Sequence, residues 1–341
     1  MFNLSQKIIT MEWTKEIKDK IEKLDIKYAS IGQDLPAYLD GLLFANPLHY
    51  WDYTYVDTLL SLQHPKTDFP DEQIFIIYHQ ITELYFKLAM LELDQIAHNG
   101  KLMSEEGQDM GWNDSLSVEF FTERLKRINS YFEVLISSFV VMINGMEKEQ
   151  FLKFRMSLLP SSGFQSAQYR LIEISCTHLI NLTHKDEREG LRRSSINDMA
   201  KHFYWKDGAI DIKTGKKTLM LENFEKKYMA QFIDRANDFT DKNLLAKYQQ
   251  LSVEDQQDKD LIHQLRLLDL NVNVNWPLVH YKSAVRYLSS KDGDADATGG
   301  TNWQKYLPPR FQKRIFFPEL WTKDEMQNWG RQWVVNALNE S

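Results

Sequence analysis

Cysteine is almost absent: the 341 residues hold one, Cys176, so no disulfide can close within the chain and no cysteine-built metal cage is available. A reducing, cytoplasmic setting is the expectation. Breakers are scarce as well, with nine prolines and fourteen glycines. The prolines gather at Pro36 and Pro47, Pro65 and Pro70, Pro160, Pro308 and Pro309, and Pro318, so long stretches run between them without interruption. No apolar run reaches the length that spans a bilayer, and the first twenty residues lack an apolar signal core, so neither a membrane span nor a targeting segment is expected. An excess of positive charge is missing too: 41 basic against 48 acidic residues give −7. A nucleic-acid or anionic-membrane partner would ask for the opposite balance. Gly-x-Ser-x-Gly, Walker and dinucleotide-binding patterns are also absent, and the acidic loop Asp292–Thr301 lacks the closing glutamate of a calcium-binding loop.

What the chain has in quantity is aromatic surface, 13% of its residues, with nine Trp, fifteen Tyr and nineteen Phe. That suits a protein that must wall a flat ligand. A chain of this size hides roughly 75% of its extended surface on folding, so a large core is affordable. Apolar residues recur at spacings of three and four from Gln73 to His98, and the same period runs through 118–143, 164–182, 223–251 and 261–288. The first of these reads as a long, deeply buried helix. Period-2 patterns and Asn-Gly turns are missing, leaving Ala209–Lys213 as the one short hairpin or loop. The fold class is all-α: an N-terminal arm over residues 1–45 and a single large helical domain over 46–341. The charge-dense stretch Lys185–Lys201 reads as a surface connection.

Chemistry could gather in three places. Phe75 and His79 lie one turn apart on the most apolar helix and share a face, with Glu83 a turn further on. A core histidine and, less readily, a metal ligand both fit that position. Phe151 and Arg155 share a helix face that Pro160 ends, and Ser162 with Gln165 form a capping-box pattern for the next helix. Arg155 could be a surface cation, or it could turn its planar fork inward to hold a carboxylate. His280 follows Pro277, the one proline inside a helical pattern, which removes a backbone donor and bends the helix just before the imidazole. Cys176 sits in a helical stretch with no basic neighbour, which gives nucleophilic chemistry little support.

Together these segments resemble the tryptophan 2,3-dioxygenase family of mainly α-helical haem enzymes. The likeness rests on Asp71–Leu88, on Phe154–Arg170, on Trp276 to His280 and on Thr298-Gly-Gly300. It implies that haem b lies between long helices with His280 as the axial ligand of its iron, and that His79 hydrogen-bonds the indole N–H. It implies further that Phe75 and Phe151 pack beside the substrate, that Arg155 holds its carboxylate, and that Thr298 lies near its ammonium and carboxylate groups. Tyr50 and Tyr53 match tyrosines that close the site of a neighbouring subunit, so a homotetramer is implied. The expected partners are L-tryptophan and dioxygen, giving N-formylkynurenine by cleavage of the indole C2–C3 bond, the first step of the kynurenine pathway. Ala297 and Thr301 depart from the family's glycine and serine, and Trp51 and Asp52 stand where small residues are usual. Those departures keep two other readings open: a haem monooxygenase of another aromatic amino acid, and a haem-binding or sensing protein without turnover.

Overall fold

The computed structural model describes residues 13–44, 49–105, 107–158, 165–210, 216–288 and 308–330. The chain divides into two compact units, Met1–Leu62 and Gln63–Ser341. The fold is all-α, with one two-stranded hairpin among the described residues.

The first unit consists of helices α1 (Lys15–Ala29), α2 (Leu35–Phe44), α3 (Tyr50–Thr54) and α4 (Val56–Leu60). Thr14 caps α1 by accepting the Ile17 N–H. Leu35 is its one buried apolar side chain among the described residues, while Leu42, Leu43, Phe44, Tyr50 and Tyr53 stand exposed.

The second unit is built on α5 (Pro70–Ala97), which starts with Pro at its first position and two acids in its first turn, where the helix dipole favours negative charge. Glu72 there accepts the Lys66 and Thr67 N–H groups, each at 2.7 Å, and Asp71 accepts the Glu147 N–H at 2.6 Å, so the start of the helix is tied to the chain around it. Helix α6 (Val118–Ser138) packs along α5, with Phe86, Leu93 and Ile96 meeting Phe121, Leu125 and Phe132 in the core. Between the two helices, Glu92 takes hydrogen bonds from Arg124 at 3.0 Å and Tyr131 at 3.3 Å. The core-facing side of α5 is buried as expected. Its other side is not: Ile77, Ile81, Leu84, Leu88 and Leu91, spaced four and three apart, are exposed.

Further helices close the core: α7 (Val140–Asn144), α8 (Lys148–Phe154), α9 (Ala167–Cys176), α10 (Arg188–Leu191), α11 (Ile196–Lys201), α12 (Leu219–Asp238), α13 (Leu244–Gln249), α14 (Lys259–Leu270) and α15 (Trp276–Leu288), with short turns of helix at Pro309–Gln312 and Lys323–Gln327. Four of the expected long helices are shorter than their apolar period. Phe139 separates α6 from α7, extended Thr177 ends α9, residues 239–243 part α12 from α13, and a π-turn, Asn271–Asn275, joins α14 to α15. Ser166, not Ser162, caps α9, accepting the Tyr169 N–H; Pro160 and Ser162 lie outside the described residues. Lys185–Lys201 is a surface connection carrying α10 and α11, laced with exposed ion pairs such as Arg192–Glu189 at 2.7 Å.

A hairpin went unexpected: β1 (Lys101–Met103) pairs antiparallel with β2 (Asp109–Trp112). Its strands are short and almost wholly exposed, so they carry no period-2 signal. Of the expected hairpin near 209–213, an isolated bridge between Ile210 and Lys217 is seen, and 211–215 lie outside the described residues.

Beneath α9 and α14 lies a buried polar network. Glu173 pairs with Arg170 at 2.9 Å and with Arg314, and the Tyr204 hydroxyl donates to it at 2.6 Å. Asp269 accepts the Phe316 and Phe317 N–H groups at 2.9 and 3.1 Å, the Trp321 indole N–H at 3.0 Å and the Asn273 amide at 2.6 Å. Both carboxylates hold the segment 308–330 against the helices.

Candidate active site

Four elements of the second unit meet in one cluster of aromatic rings and two histidines. Helix α5 brings Phe75 and His79, whose rings lie 4.1 Å apart, as their spacing predicts. Helix α8 brings Phe151 and Phe154, with Phe151 at 6.5 Å and Phe154 at 6.0 Å from the Phe75 ring. The break between α6 and α7 contributes Phe139. Helix α15 contributes Trp276 and His280, and the His280 ring lies 4.4 Å from both Trp276 and Phe139.

The two histidines are arranged alike. His280 Nδ1 donates to the Trp276 carbonyl at 2.8 Å and His79 Nδ1 to the Phe75 carbonyl at 2.7 Å, each one turn back along its own helix. A carbonyl can only accept, so the proton sits on Nδ1 and leaves the Nε2 lone pair of each neutral ring free. Both rings are held neutral. Burial pulls His280 down to about 4, against the hydrogen bond to Trp276, and a charge on His79 would push it lower still, so the two imidazoles lie within electrostatic reach. Burial likewise lowers His79, despite the nearby carboxylate of Glu83. The His79 side chain is surrounded by neighbouring groups yet still reaches solvent. Glu83 is turned elsewhere, accepting from the Gln168 amide at 2.7 Å.

Arg155 is half-buried at the junction where α8 gives way to a 3-10 turn, Arg155–Leu158, one turn beyond Phe151. Phe151 packs 4.7 Å from the Tyr287 ring, which joins α8 to α15. Tyr50 and Tyr53 belong to the first unit, where they are 74% and 72% exposed. Thr298 lies outside the described residues, as does the acidic loop that precedes it.

Phe139 escaped the sequence reading. It sits in an apolar period that looks like uninterrupted helix, and only the break after Ser138 turns its ring onto His280. Cys176 is fully buried, and burial pushes its thiol well above the usual range.

A neutral imidazole with a free Nε2, walled by aromatic rings, is the donor a flat metal cofactor needs when it brings its own in-plane ligands. Among the described residues no group of three or more His, Cys, Asp or Glu side chains is placed to cage a bare ion. His280 and its rings therefore fit haem. Fold and site together define a mainly helical protein with two uncharged histidines set among one cluster of aromatic rings.

Known proteins resemble this chain over part or most of its length. A family model described as tryptophan 2,3-dioxygenase matches residues 42–200. Tryptophan 2,3-dioxygenase of Ruegeria sp. (strain TM1040) is 43% identical over 130 residues, 38% of this chain and 42% of the relative. The enzyme of that name from Bdellovibrio bacteriovorus is 39% identical over 132 residues, 37% of this chain and 34% of the relative. That of Bacillus thuringiensis subsp. konkukian is 27% identical over 291 residues, covering 82% of this chain and 92% of the relative. The first two are thus matched over less than half their length, and the third over nearly all of it. Over residues 42–200 the chain is therefore similar to the tryptophan 2,3-dioxygenase family.

Proposed function

We propose that this protein is a haem-dependent dioxygenase that converts L-tryptophan and dioxygen to N-formylkynurenine. The observation that carries the reading is the pair of neutral histidines on facing elements, each with Nδ1 tied to its own helix and Nε2 free. His280 would hold the haem iron through Nε2. Bound there, haem b supplies the binding and activation of dioxygen. The chain does the rest. His79 Nε2 accepts the indole N–H, which a charged imidazole could not do, so the burial that keeps His79 neutral serves substrate binding directly. Phe75 and Phe151 wall the indole and exclude water. Arg155 holds the carboxylate by its planar fork, and Thr298 the amino-acid end, so that two distant anchors define one pose.

The same reading makes the protein a cytoplasmic homotetramer in which residues 1–45 form an arm and Tyr50 and Tyr53 reach a neighbouring subunit's site. Two features support it: the exposure of both tyrosines, and the apolar stripe on α5, whose spacing suits another helix. The test is aerobic turnover of L-tryptophan by the reduced, haem-loaded protein under labelled dioxygen. A product heavier by two labelled oxygen atoms is the expected result. Haem uptake with no change in tryptophan, or entry of one oxygen, overturns the assignment.

A further inference from the structure

The direction of His280 is set by the five residues that precede its helix. Asn271–Asn275 form a π-turn closed by the Trp276 N–H on the Asn271 carbonyl. Such turns are locally poorer than α-helix and recur at functional sites. Pro277 gives one reason for this one: in α geometry its ring would strike the Asn273 carbonyl, and the wider turn relieves that clash. The turn needs more than the absence of a clash, because an α-helix could reform with a kink instead.

Three asparagines supply the rest. Asn271 Nδ2 donates to Asn129 Oδ1 at 3.3 Å, and Asn275 Nδ2 donates to Asn271 Oδ1 at 3.0 Å. Asn129, in the middle of α6, donates in turn to the Gln264 carbonyl at 3.0 Å and to its side-chain oxygen at 2.9 Å. A chain of amides therefore runs from α14 through α6 and back into the π-turn. Asn129 and Asn271 are each 2% exposed, in surroundings where an unpaired amide is costly, so the ladder favours the one backbone geometry that completes it. On the turn's other side, Asn273 donates to Asp269 at 2.6 Å.

We propose that Asn129 and Asn271 are positioning residues for His280: their amide ladder holds the π-turn, and the π-turn sets the imidazole against Phe139 and Trp276. Each residue of a helix turns the next by about 100°, so relaxation of the π-turn to α geometry would swing the His280 face away from Phe139. The consequence for haem rests on the function proposed above; the consequence for the imidazole does not.

The test uses Asn129→Leu and Asn271→Leu in the full chain, with Ile128→Val as a control that loosens the same helix outside the ladder. Two readouts are taken: the imidazole nitrogen resonances of His280 in haem-free protein, assigned with His280→Gln, and the rate at which loaded ferric haem passes to an excess of a haem-scavenging apoprotein. Both ladder variants are expected to shift the His280 resonances and to speed haem loss about 10-fold or more, as loss of the groups that orient a ligand does, while Ile128→Val moves neither. Unchanged resonances and unchanged haem loss in the ladder variants overturn the inference. Should the leucine variants not fold, Asn129→Ser, which shortens the ladder without adding bulk, is read by the same two measurements. Wild-type protein that takes up no haem would refute the proposed function alone, and the resonances would still decide the positioning role.

Discussion

His79 and His280 each give the Nδ1 proton to a carbonyl four residues earlier, which makes tautomer a property of helix geometry rather than of any neighbour. Their roles differ in what is lost on replacement. His280→Ala should abolish stable haem ligation, seen as loss of the histidine-ligated spectrum. His79→Ala should keep the haem and lower kcat/KM for tryptophan about tenfold, the worth of one hydrogen bond of about 1.4 kcal/mol. Arg155→Lys retains the charge but not the fork, so KM for tryptophan should rise about tenfold or more with the haem spectrum unchanged. Cys176, buried with its thiol raised, should resist a thiol reagent in the native protein and label at once in denaturant. At this scale the candidate residues Phe75, His79, Phe151 and His280 were legible because chemistry-bearing side chains stood at helical spacings within apolar runs. Phe139 was not legible, since an aromatic in an apolar period gives no sign of a backbone break beside it.

Among elements, the apolar period located the long helices of the second unit among the described residues, but not their interruptions, and it passed over α1. A three- or four-residue spacing passes through Phe139, Thr177 and Asn271–Asn275 unchanged, because each break is made by tertiary partners: the Thr177 hydroxyl donates to the Phe316 carbonyl, and Asn271 is held from α6. The deep burial expected all round α5 was half right, because periodicity reports which residues are apolar and not whether a surface covers them. The end of α5 supplies a test. Asn99 has φ 62° and Gly100 φ 89°, and a Cβ on Gly100 would lie 2.7 Å from the Phe120 ring. Gly100→Ala meets both a disfavoured backbone and a packed ring, and should destabilise the protein by about 1–3 kcal/mol, measured as a lower urea midpoint.

For the whole molecule, the buried network couples charge to the closing of the core. Two guanidiniums, Arg170 and Arg314, face one carboxylate in Glu173, and Asp269, held by neutral donors, brings the second. Burial raises Asp269 from 3.8 to about 6 against those hydrogen bonds. A raised folded pKa means that the folded state binds more protons between these values, so this group's contribution is full below about pH 4 and is lost as pH rises through 6. Asp269→Asn cannot titrate and turns a donor toward donors, so it should be less stable than wild type throughout. Its deficit should shrink by about 2–3 kcal/mol from pH 4 to pH 7, seen in denaturant midpoints at each pH.

The network also has a direction in time. Glu173 meets Arg170 and Tyr204 early, but its second guanidinium, Arg314, and three donors to Asp269, from Phe316, Phe317 and Trp321, leave the ribosome later. Until those arrive, Asp269 has the Asn273 amide alone to offset its burial, and the helices that carry the two acids cannot close. A nascent chain halted after Lys313 should therefore remain protease-sensitive along α9 and α14, and extension past Trp321 should convert it to a resistant form in one step.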